Sequence, residues 1–258
     1  MTRPIPKRMA AIAKPLIAFA LMLLAWEIGA PRVGIPTYVL PLPSMIAQRF
    51  AETFSVQMLG LAMTAFTTLA GLGLALVFGV LLALAIIYVP LLRSIVTPLL
   101  AAFNSIPKIA IAPLFVIWFG LGYESKILLA FLLALFPIFV NSVTGLGEIE
   151  ADLIDLSTLA GGTTWRIFMK VRLMNAVPYI ADAVKVAFPL ALVGSIVGEF
   201  IGGNSGIGHL ILSGQFNLDT PLVFATLLSI TLFTTLGIGA VSLFEHAFLT
   251  WRPSQRQR

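Results

Sequence analysis

Three ionisable residues stand within long apolar stretches of the sequence and are its first candidates for chemistry. Asp182 and Lys185 lie one helical turn apart, and Glu199 follows later in the same stretch. A charged side chain inside a membrane is costly and often marks a transport path. Two readings of the pair stay open, a functional site within the membrane and a local ion pair near its edge. Glu199 either faces water, closes a gate or contacts an external partner.

Residue patterns for catalysis or metal binding are missing. The chain has no cysteine, which excludes thiol catalysis and cysteine-ligated metal. Its two histidines, His209 and His246, form no H-E-x-x-H motif, and there is neither a G-x-S-x-G motif nor a G-x-x-x-x-G-K-[ST] phosphate-binding loop. We therefore predict no catalytic residue, no metal and no cofactor. Energy for uphill transport is expected from another protein or from an ion gradient.

A polar segment at residues 148–176, named the polar loop below, interrupts the apolar sequence. It is predicted to form a short helix, a break at Gly161 and Gly162, and a second short basic helix. The two glycines allow a sharp turn, and Thr163 or Thr164 can cap the helix that follows. A membrane protein has no packing need for such a segment. We expect it to stand in water as a grip for another protein.

Composition identifies the environment of these segments. Of 258 residues, 59% are hydrophobic and only 10% are charged, and the mean hydropathy is +1.02. Soluble domains carry about a quarter charged residues, so the chain is predicted to be an integral membrane protein. The net charge is +5, but the basic residues flank apolar runs and form no stripe, so we expect lipid and not nucleic acid as the partner.

The apolar runs predict an all-α, polytopic membrane protein of one domain, residues 1–258, with about six transmembrane helices. Proline breaks residues 94–122 into a short helix near the interface and a third span. The first run resembles a signal peptide, but Glu27 and Pro31 stand where small cleavage-site residues belong. The predicted spans are 13–30, 60–88, 108–121, 127–147, 177–201 and 221–249, with the polar loop between the fourth and the fifth.

The basic residues predict the orientation of these spans. Three of them, Arg32, Arg49 and Lys126, fall on one side, and eleven fall on the side of the termini and the polar loop. Basic residues favour the cytoplasmic side, so both termini and the polar loop are predicted to be cytoplasmic. The eleven are Arg3, Lys7, Arg8, Lys14, Arg93, Arg166, Lys170, Arg172, Arg252, Arg256 and Arg258.

The fifth predicted span carries glycines at intervals of four residues. Gly194, Gly198 and Gly202 therefore lie on one helix face, where another backbone can approach closely. Such motifs serve either packing within a chain or a subunit interface. We favour packing within the chain.

The polar loop resembles the cytoplasmic loop of binding-protein-dependent ABC importer permeases. Gly161 falls on the glycine of that family's pattern, and Trp165-Arg166-Ile167-Phe168 and Pro178 follow as in the family. Asp155-Leu156-Ser157 stands where the family has Glu-Ala-Ala. Over residues 36–250, further motifs resemble the nitrate/taurine/alkanesulfonate branch: Leu40-Pro41-Leu42-Pro43, Ile106-Pro107-Lys108-Ile109-Ala110, Pro113-Leu114, Trp118-Phe119-Gly120-x-Gly122, Ser125-Lys126, Phe136-Pro137 with Asn141, and Glu199 with Gly206-Ile207-Gly208-x-Leu210-Ile211.

The resemblance implies a permease of the bacterial cytoplasmic (inner) membrane that pairs with a second, identical copy. It also implies two copies of a cytoplasmic ABC ATPase, which would use ATP and grip the polar loops, and an extracytoplasmic substrate-binding protein. The residues that it assigns to ATPase coupling are Asp155, Leu156, Ser157, Ala160, Gly161, Gly162, Thr163, Trp165, Arg166 and Phe168.

Substrates of the resembled branch are mostly small anions such as sulfonates, taurine and nitrate. Thiamine-precursor pyrimidines, riboflavin and aromatic acids are the alternatives. A secondary transporter without an ATPase is disfavoured because there is no internal repeat and the fourth span has no charge. Our candidates for the substrate path are Lys185, Asn141, Glu199, Asn104 and Ser105.

Overall fold

The computed structural model describes residues 7–248, and the side chains of residues 14–89, 91–150 and 152–247. Helices and short connections make up this part of the chain, and it contains no strand. The helices are α1 Lys7–Arg32, α2 Pro43–Glu52, α3 Phe54–Tyr88, α4 Pro90–Ser105, a 3-10 turn Lys108–Ile111, α5 Ala112–Phe119, α6 Tyr123–Gly147, α7 Ala151–Leu159, α8 Thr164–Ile167, a π-helical turn Phe168–Arg172, α9 Leu173–Gly202, α10 Ile207–Phe216 and α11 Thr220–Phe248.

Within residues 7–248, five helical stretches are long and apolar enough to cross a membrane. They are Lys14–Arg32, Phe54–Tyr88, Tyr123–Gly147, Thr164–Gly202 and Thr220–Ala247. A sixth crossing exists if Leu91–Ser105 and Lys108–Phe119, which meet at 82°, count as one bent span. The described chain is thus an all-α polytopic protein, as predicted.

The third crossing differs from its prediction. Residues 108–121 were expected to span alone, but they form a 3-10 turn and the eight-residue helix α5. Twelve helical residues cover about 18 Å, which is short of a hydrocarbon core about 30 Å thick. Pro107 lies just before the 3-10 turn and Pro113 lies in the first turn of α5, positions where the missing N–H of proline is tolerated.

The helix that contains the fifth predicted span, 177–201, begins before Val177. The π-helical turn joins α8 directly to α9, so that Thr164–Gly202 is a continuous helical stretch of 39 residues. Pro178 and Pro189 lie inside α9 and do not end it. Its length of about 58 Å exceeds the hydrocarbon core, so the stretch extends beyond the membrane.

Contacts divide the described chain into two compact units, the larger within residues 59–209 and 230–258. In this unit α6 and α9 pack closely through small residues. A Cβ at Gly194 would lie 2.7 Å from the Leu129 carbonyl oxygen, and one at Gly198 would lie 3.0 Å from the Lys126 Cα. At the other end of the pair, a Cβ at Gly145 would lie 2.8 Å from the Ala176 Cα. The prediction that the glycine motif packs within the chain is confirmed.

The smaller unit lies within residues 1–58 and 210–229, and polar contacts link its elements. The Ser44 hydroxyl donates to Glu27 at 2.7 Å, and Arg49 Nε donates to Asp219 at 2.9 Å. Hydrogen bonds to Asp219 and then to Glu52 raise the pKa of the Arg49 guanidinium above its ordinary value. The prediction of one domain over residues 1–258 stays a prediction.

Candidate functional site

The break in the polar loop is a glycine C-cap of α7. Gly161 has φ +80°, in the left-handed region that favours glycine. Its N–H donates to the Thr158 carbonyl at 3.0 Å, and the Gly162 N–H donates to the Ser157 carbonyl at 2.9 Å. These two bonds define a Schellman motif, which ends a helix and reverses the chain. The predicted break therefore lies at the predicted glycines.

The second half of the polar loop begins with a capped helix. The Thr163 hydroxyl accepts a hydrogen bond from the Arg166 N–H at 3.4 Å, which makes Thr163 the N-cap of α8. The π-helical turn that follows leads into α9 without a break. The ring of Trp165 packs against that of Phe168, with 5.7 Å between centroids.

Large apolar side chains of the polar loop stand in the open. Leu156 is 64% exposed, Leu159 is 85% exposed and Trp165 is 69% exposed. Of the residues assigned to ATPase coupling, Ser157, Gly162 and Phe168 are half-buried, and the exposed ones are Asp155, Leu156, Ala160, Gly161, Thr163, Trp165 and Arg166. If the polar loop lies in water as predicted, exposed apolar side chains of this kind are typical of a surface that binds another protein.

Lys185 already forms ion pairs with two carboxylates. Its ammonium lies 3.2 Å from the Asp182 carboxylate, and it also forms an ion pair with the carboxylate of Glu245 in α11. Binding an anion there would require this pairing to break, so Lys185 is not an open anion site. The ion-pair reading of Asp182 and Lys185 is the one that the structure supports, with a second partner that the sequence did not indicate.

Glu199 is a buried anchor, so of its three readings the one in which it faces water is wrong. Only 1% of it is exposed. Its carboxylate accepts hydrogen bonds from the Thr64 hydroxyl and from the Gly208 N–H, each at 2.7 Å, and the Thr64 hydroxyl accepts one from the Ile207 N–H at 2.8 Å. The arrangement fixes the start of α10 against α3 and α9.

Two further path candidates bond to their own helices. The Asn141 amide donates to the Pro137 carbonyl at 2.8 Å, and the Ser105 hydroxyl donates to the Ala101 carbonyl at 3.2 Å. Both patterns run to the residue four positions earlier and are common for polar side chains in helices. Neither residue lines a described cavity.

Asn104 is the path candidate that does line a cavity. It does so with Lys108, Phe136 and Leu190 in a space of about 410 Å³. The Lys108 ammonium donates to the Asn104 side-chain oxygen at 2.6 Å and to its backbone carbonyl at 3.2 Å. The described side chains include no cluster of three or more residues that could hold a metal ion.

Two contacts escaped the sequence because their partners are distant along the chain. Glu245 lies 60 residues from Lys185, and Thr64 lies 135 residues from Glu199. The sequence carried one usable signal, which is that a lone carboxylate in an apolar span requires a partner. It could not indicate which residue provides one.

Comparisons with known proteins agree on one family. A family model described as the inner membrane component of binding-protein-dependent transport systems matches residues 75–249. The chain is 34% identical to the formylaminopyrimidine transport permease protein of Halalkalibacterium halodurans, over 96% of this chain and 100% of that protein. It is 32% identical to the riboflavin transport system permease protein of Chloroflexus aurantiacus, over 92% of this chain and 90% of that protein.

A solved structure shares the fold. The inward-facing MetNI methionine ABC transporter matches with a TM-score of 0.66, over 76% of this chain and 97% of the matched chain. The identity is 21%, so this similarity concerns the fold alone.

Proposed function

The chain belongs to the family of inner membrane components of binding-protein-dependent transport systems, and from this premise we propose how it works. It is a permease subunit of an ABC importer, a non-enzymatic protein of the inner membrane. In the proposed machine, two identical copies of this chain enclose the substrate path, as closed twofold symmetry favours. Two cytoplasmic ABC ATPases drive them, and a soluble binding protein delivers substrate from outside.

The observation that carries the proposal is the exposed apolar surface of the polar loop. Leu156, Leu159 and Trp165 stand in the open beside a helix that continues into the membrane. A partner that covers these side chains gains on the order of 1.5–3 kcal/mol for each one fully buried. The same partner would hold the end of a stretch that runs from Thr164 to Gly202, so its movement would be passed to a membrane span.

The proposed orientation follows from charge. Arg166, Lys170 and Arg172 lie in the polar loop, and basic residues favour the cytoplasmic side of a membrane. The polar loop then meets ATPases in the cytoplasm, where ATP is available. Asn204 and the start of α10 face the opposite side, where a binding protein would dock.

For the substrate we propose a small organic anion such as a sulfonate. A heterocycle stands as the second candidate because the two relatives are described as permeases for formylaminopyrimidine and for riboflavin. Aromatic acids combine both features, a planar body and a negative charge.

Pull-down of candidate ABC ATPases from the source organism tests the ATPase contact. The tagged chain is expected to retain one of them at equal stoichiometry, and Trp165→Ala is expected to lose at least about tenfold in affinity, since aromatic anchors often contribute 2 kcal/mol or more. Phe216→Ala removes an aromatic side chain that is 84% exposed in α10 and serves as the control. Substrate uptake by the chain alone, driven by an ion gradient, would contradict the proposal and favour a secondary transporter.

A further inference from the structure

The cavity beside the break between α4 and α5 has the composition of a small-molecule site. Its volume of about 410 Å³ lies within the range of 300–1,000 Å³ that is usual for ligand pockets. Leu133, Phe136 and Leu190 contribute apolar walls, and the polar side chains in its lining are those of Lys108 and Asn104. An apolar pocket with few polar groups is the usual form of a binding site.

The depth of the cavity makes its lysine costly. Phe136 lies near the middle of α6, and Leu190 lies near the middle of α9. About 16 to 26 Å of helix extends on either side of these two residues, at about 1.5 Å per residue. A cation held at this depth against lipid would be strongly unfavourable, and lipid headgroups lie about 15 Å away. The charge is stabilised if the cavity opens to a water-filled path or takes up an anion.

Lys108 also differs from Arg49 and Lys185 in its surroundings. Arg49 and Lys185 each pair with two carboxylates, whereas no acidic side chain among the described residues lies within ion-pair distance of Lys108. Two of its three N–H donors are used by the oxygens of Asn104. The third N–H and the positive charge are left for another partner.

Asn104 adds amide N–H groups to the hydrogen-bond donors of Lys108. An ammonium group has no acceptor, so the side-chain oxygen of Asn104 is the atom that faces Lys108 at 2.6 Å. The amide nitrogen, with its two hydrogens, then points away from the lysine. The N–H donors of these two side chains and the positive charge of Lys108 thus belong to a lining whose other side chains are apolar.

We propose that this cavity is a substrate site that selects a small organic anion, such as an alkanesulfonate or a carboxylate. The anionic head accepts hydrogen bonds from Lys108 and Asn104, and the apolar body packs against Phe136 and Leu190. This assignment rests on the proposed importer function and names its substrate class. An uncharged heterocycle leaves the lysine without a counter-charge and binds less well.

Uptake by the complete importer tests the assignment. Proteoliposomes with permease, ATPase and binding protein are supplied with labelled butanesulfonate or benzoate, and with riboflavin or cytosine as uncharged probes. Lys108→Met is expected to lower uptake of the anion by about 10- to 100-fold, the range for a lost hydrogen bond to a charged group. Asn104→Asp preserves the size of the side chain, but the new carboxylate would pair with the Lys108 ammonium. It should therefore cause a similar loss of anion uptake. Lys108→Arg retains the charge and should recover part of the uptake.

A matched control removes a basic residue elsewhere. Arg93 is exposed in α4, and Arg93→Met is expected to change uptake by less than about twofold, as surface substitutions usually do. All variants should retain the ATPase at wild-type stoichiometry. The chain has no cysteine, so Lys108→Cys introduces a single thiol. An anionic methanethiosulfonate reagent should modify it, and the transported anion should slow this reaction about tenfold.

Three results would overturn the substrate site. The first is anion uptake that is unchanged in Lys108→Met and Asn104→Asp, and the second is a thiol at position 108 that the reagent does not modify or that the anion does not protect. The third is a wild-type importer that takes up riboflavin or cytosine and neither anion. Failure of the proposed importer function looks different. In that case the wild-type chain retains no ATPase and shows no ATP-dependent uptake of any probe, and the assignment of the cavity falls with it.

Discussion

Replacement of Gly161 by alanine tests whether the backbone of the polar loop controls coupling to the ATPase. Gly161 has φ +80°, and an added Cβ would meet no atom within 4 Å. The substitution therefore creates no clash within the chain, and its cost comes from the left-handed backbone alone. That cost is on the order of 1–2 kcal/mol for an L-residue.

A cost of this size shifts the turn and leaves the membrane fold intact. It lowers the population of the correct turn by about 5- to 30-fold relative to a competing loop conformation, at 1.4 kcal/mol per factor of ten. The spans keep their backbone hydrogen bonds inside the bilayer, where no alternative partner exists. Gly161→Ala should insert normally but lose several-fold in retained ATPase and in ATP-dependent uptake.

Three further substitutions separate backbone strain from other effects. Gly161→Asn should retain most activity because asparagine tolerates positive φ, and Gly161→Val should be the most impaired because β-branched residues tolerate it least. Gly147→Ala is the control: it lies at the end of α6, has no positive φ, and would meet nothing within 4 Å. Uptake and ATPase retention are measured on the same preparations. Equal losses for the asparagine and valine variants, or full activity of the valine variant, would refute the backbone argument.

Three other predictions concern packing, the buried carboxylate and topology. Gly194→Val would place its Cβ 2.7 Å from a carbonyl oxygen of α6. This overpacking should cost about 1–3 kcal/mol or more and lower the unfolding temperature in detergent. Gly73→Val is the control, because a Cβ there would meet no atom within 4 Å. Glu199→Gln puts an amide N–H against one of the two groups that donate to Glu199, the Thr64 hydroxyl and the Gly208 N–H. It should lower stability by about 1–3 kcal/mol, measured by the same thermal unfolding. An unchanged melting temperature would contradict the anchor role. Reporter fusions at Trp165 and at Asn204 should report opposite sides of the membrane, with Trp165 in the cytoplasm, and a shared side would disprove the orientation.

The sequence predicted those features that depend on neighbouring residues. Gly161 and Gly162 indicated a break because few other residues adopt the backbone angles of a C-cap, and Thr163 or Thr164 was predicted as the following N-cap. The spacing of Gly194 and Gly198 indicated a close helix contact, and packing within the chain was the favoured of two readings. Each of these features is encoded within a few residues of the position where it acts.

Features that depend on helix packing escaped prediction. Lys185 was a candidate for the substrate path or for an ion pair with Asp182, and its second partner, Glu245 of α11, was not predicted. Pro178 was recognised only as a match to the family pattern, and it lies buried within α9 without ending the helix. Membrane helices tolerate internal proline because neighbouring groups satisfy the carbonyl that it leaves free. Such partners depend on the three-dimensional arrangement, which no local pattern records.

The close packing of α6 against α9 has a mechanical consequence. Backbones that approach as closely as at Gly194 and Gly145 cannot slide past one another without steric overlap, so the two helices tilt together as one lever. The stretch Thr164–Gly202 is about 58 Å long, and a tilt of 5° about its centre displaces each end by about 2.5 Å in opposite directions. A single stroke at the polar loop would thus narrow one end of the path while it widens the other.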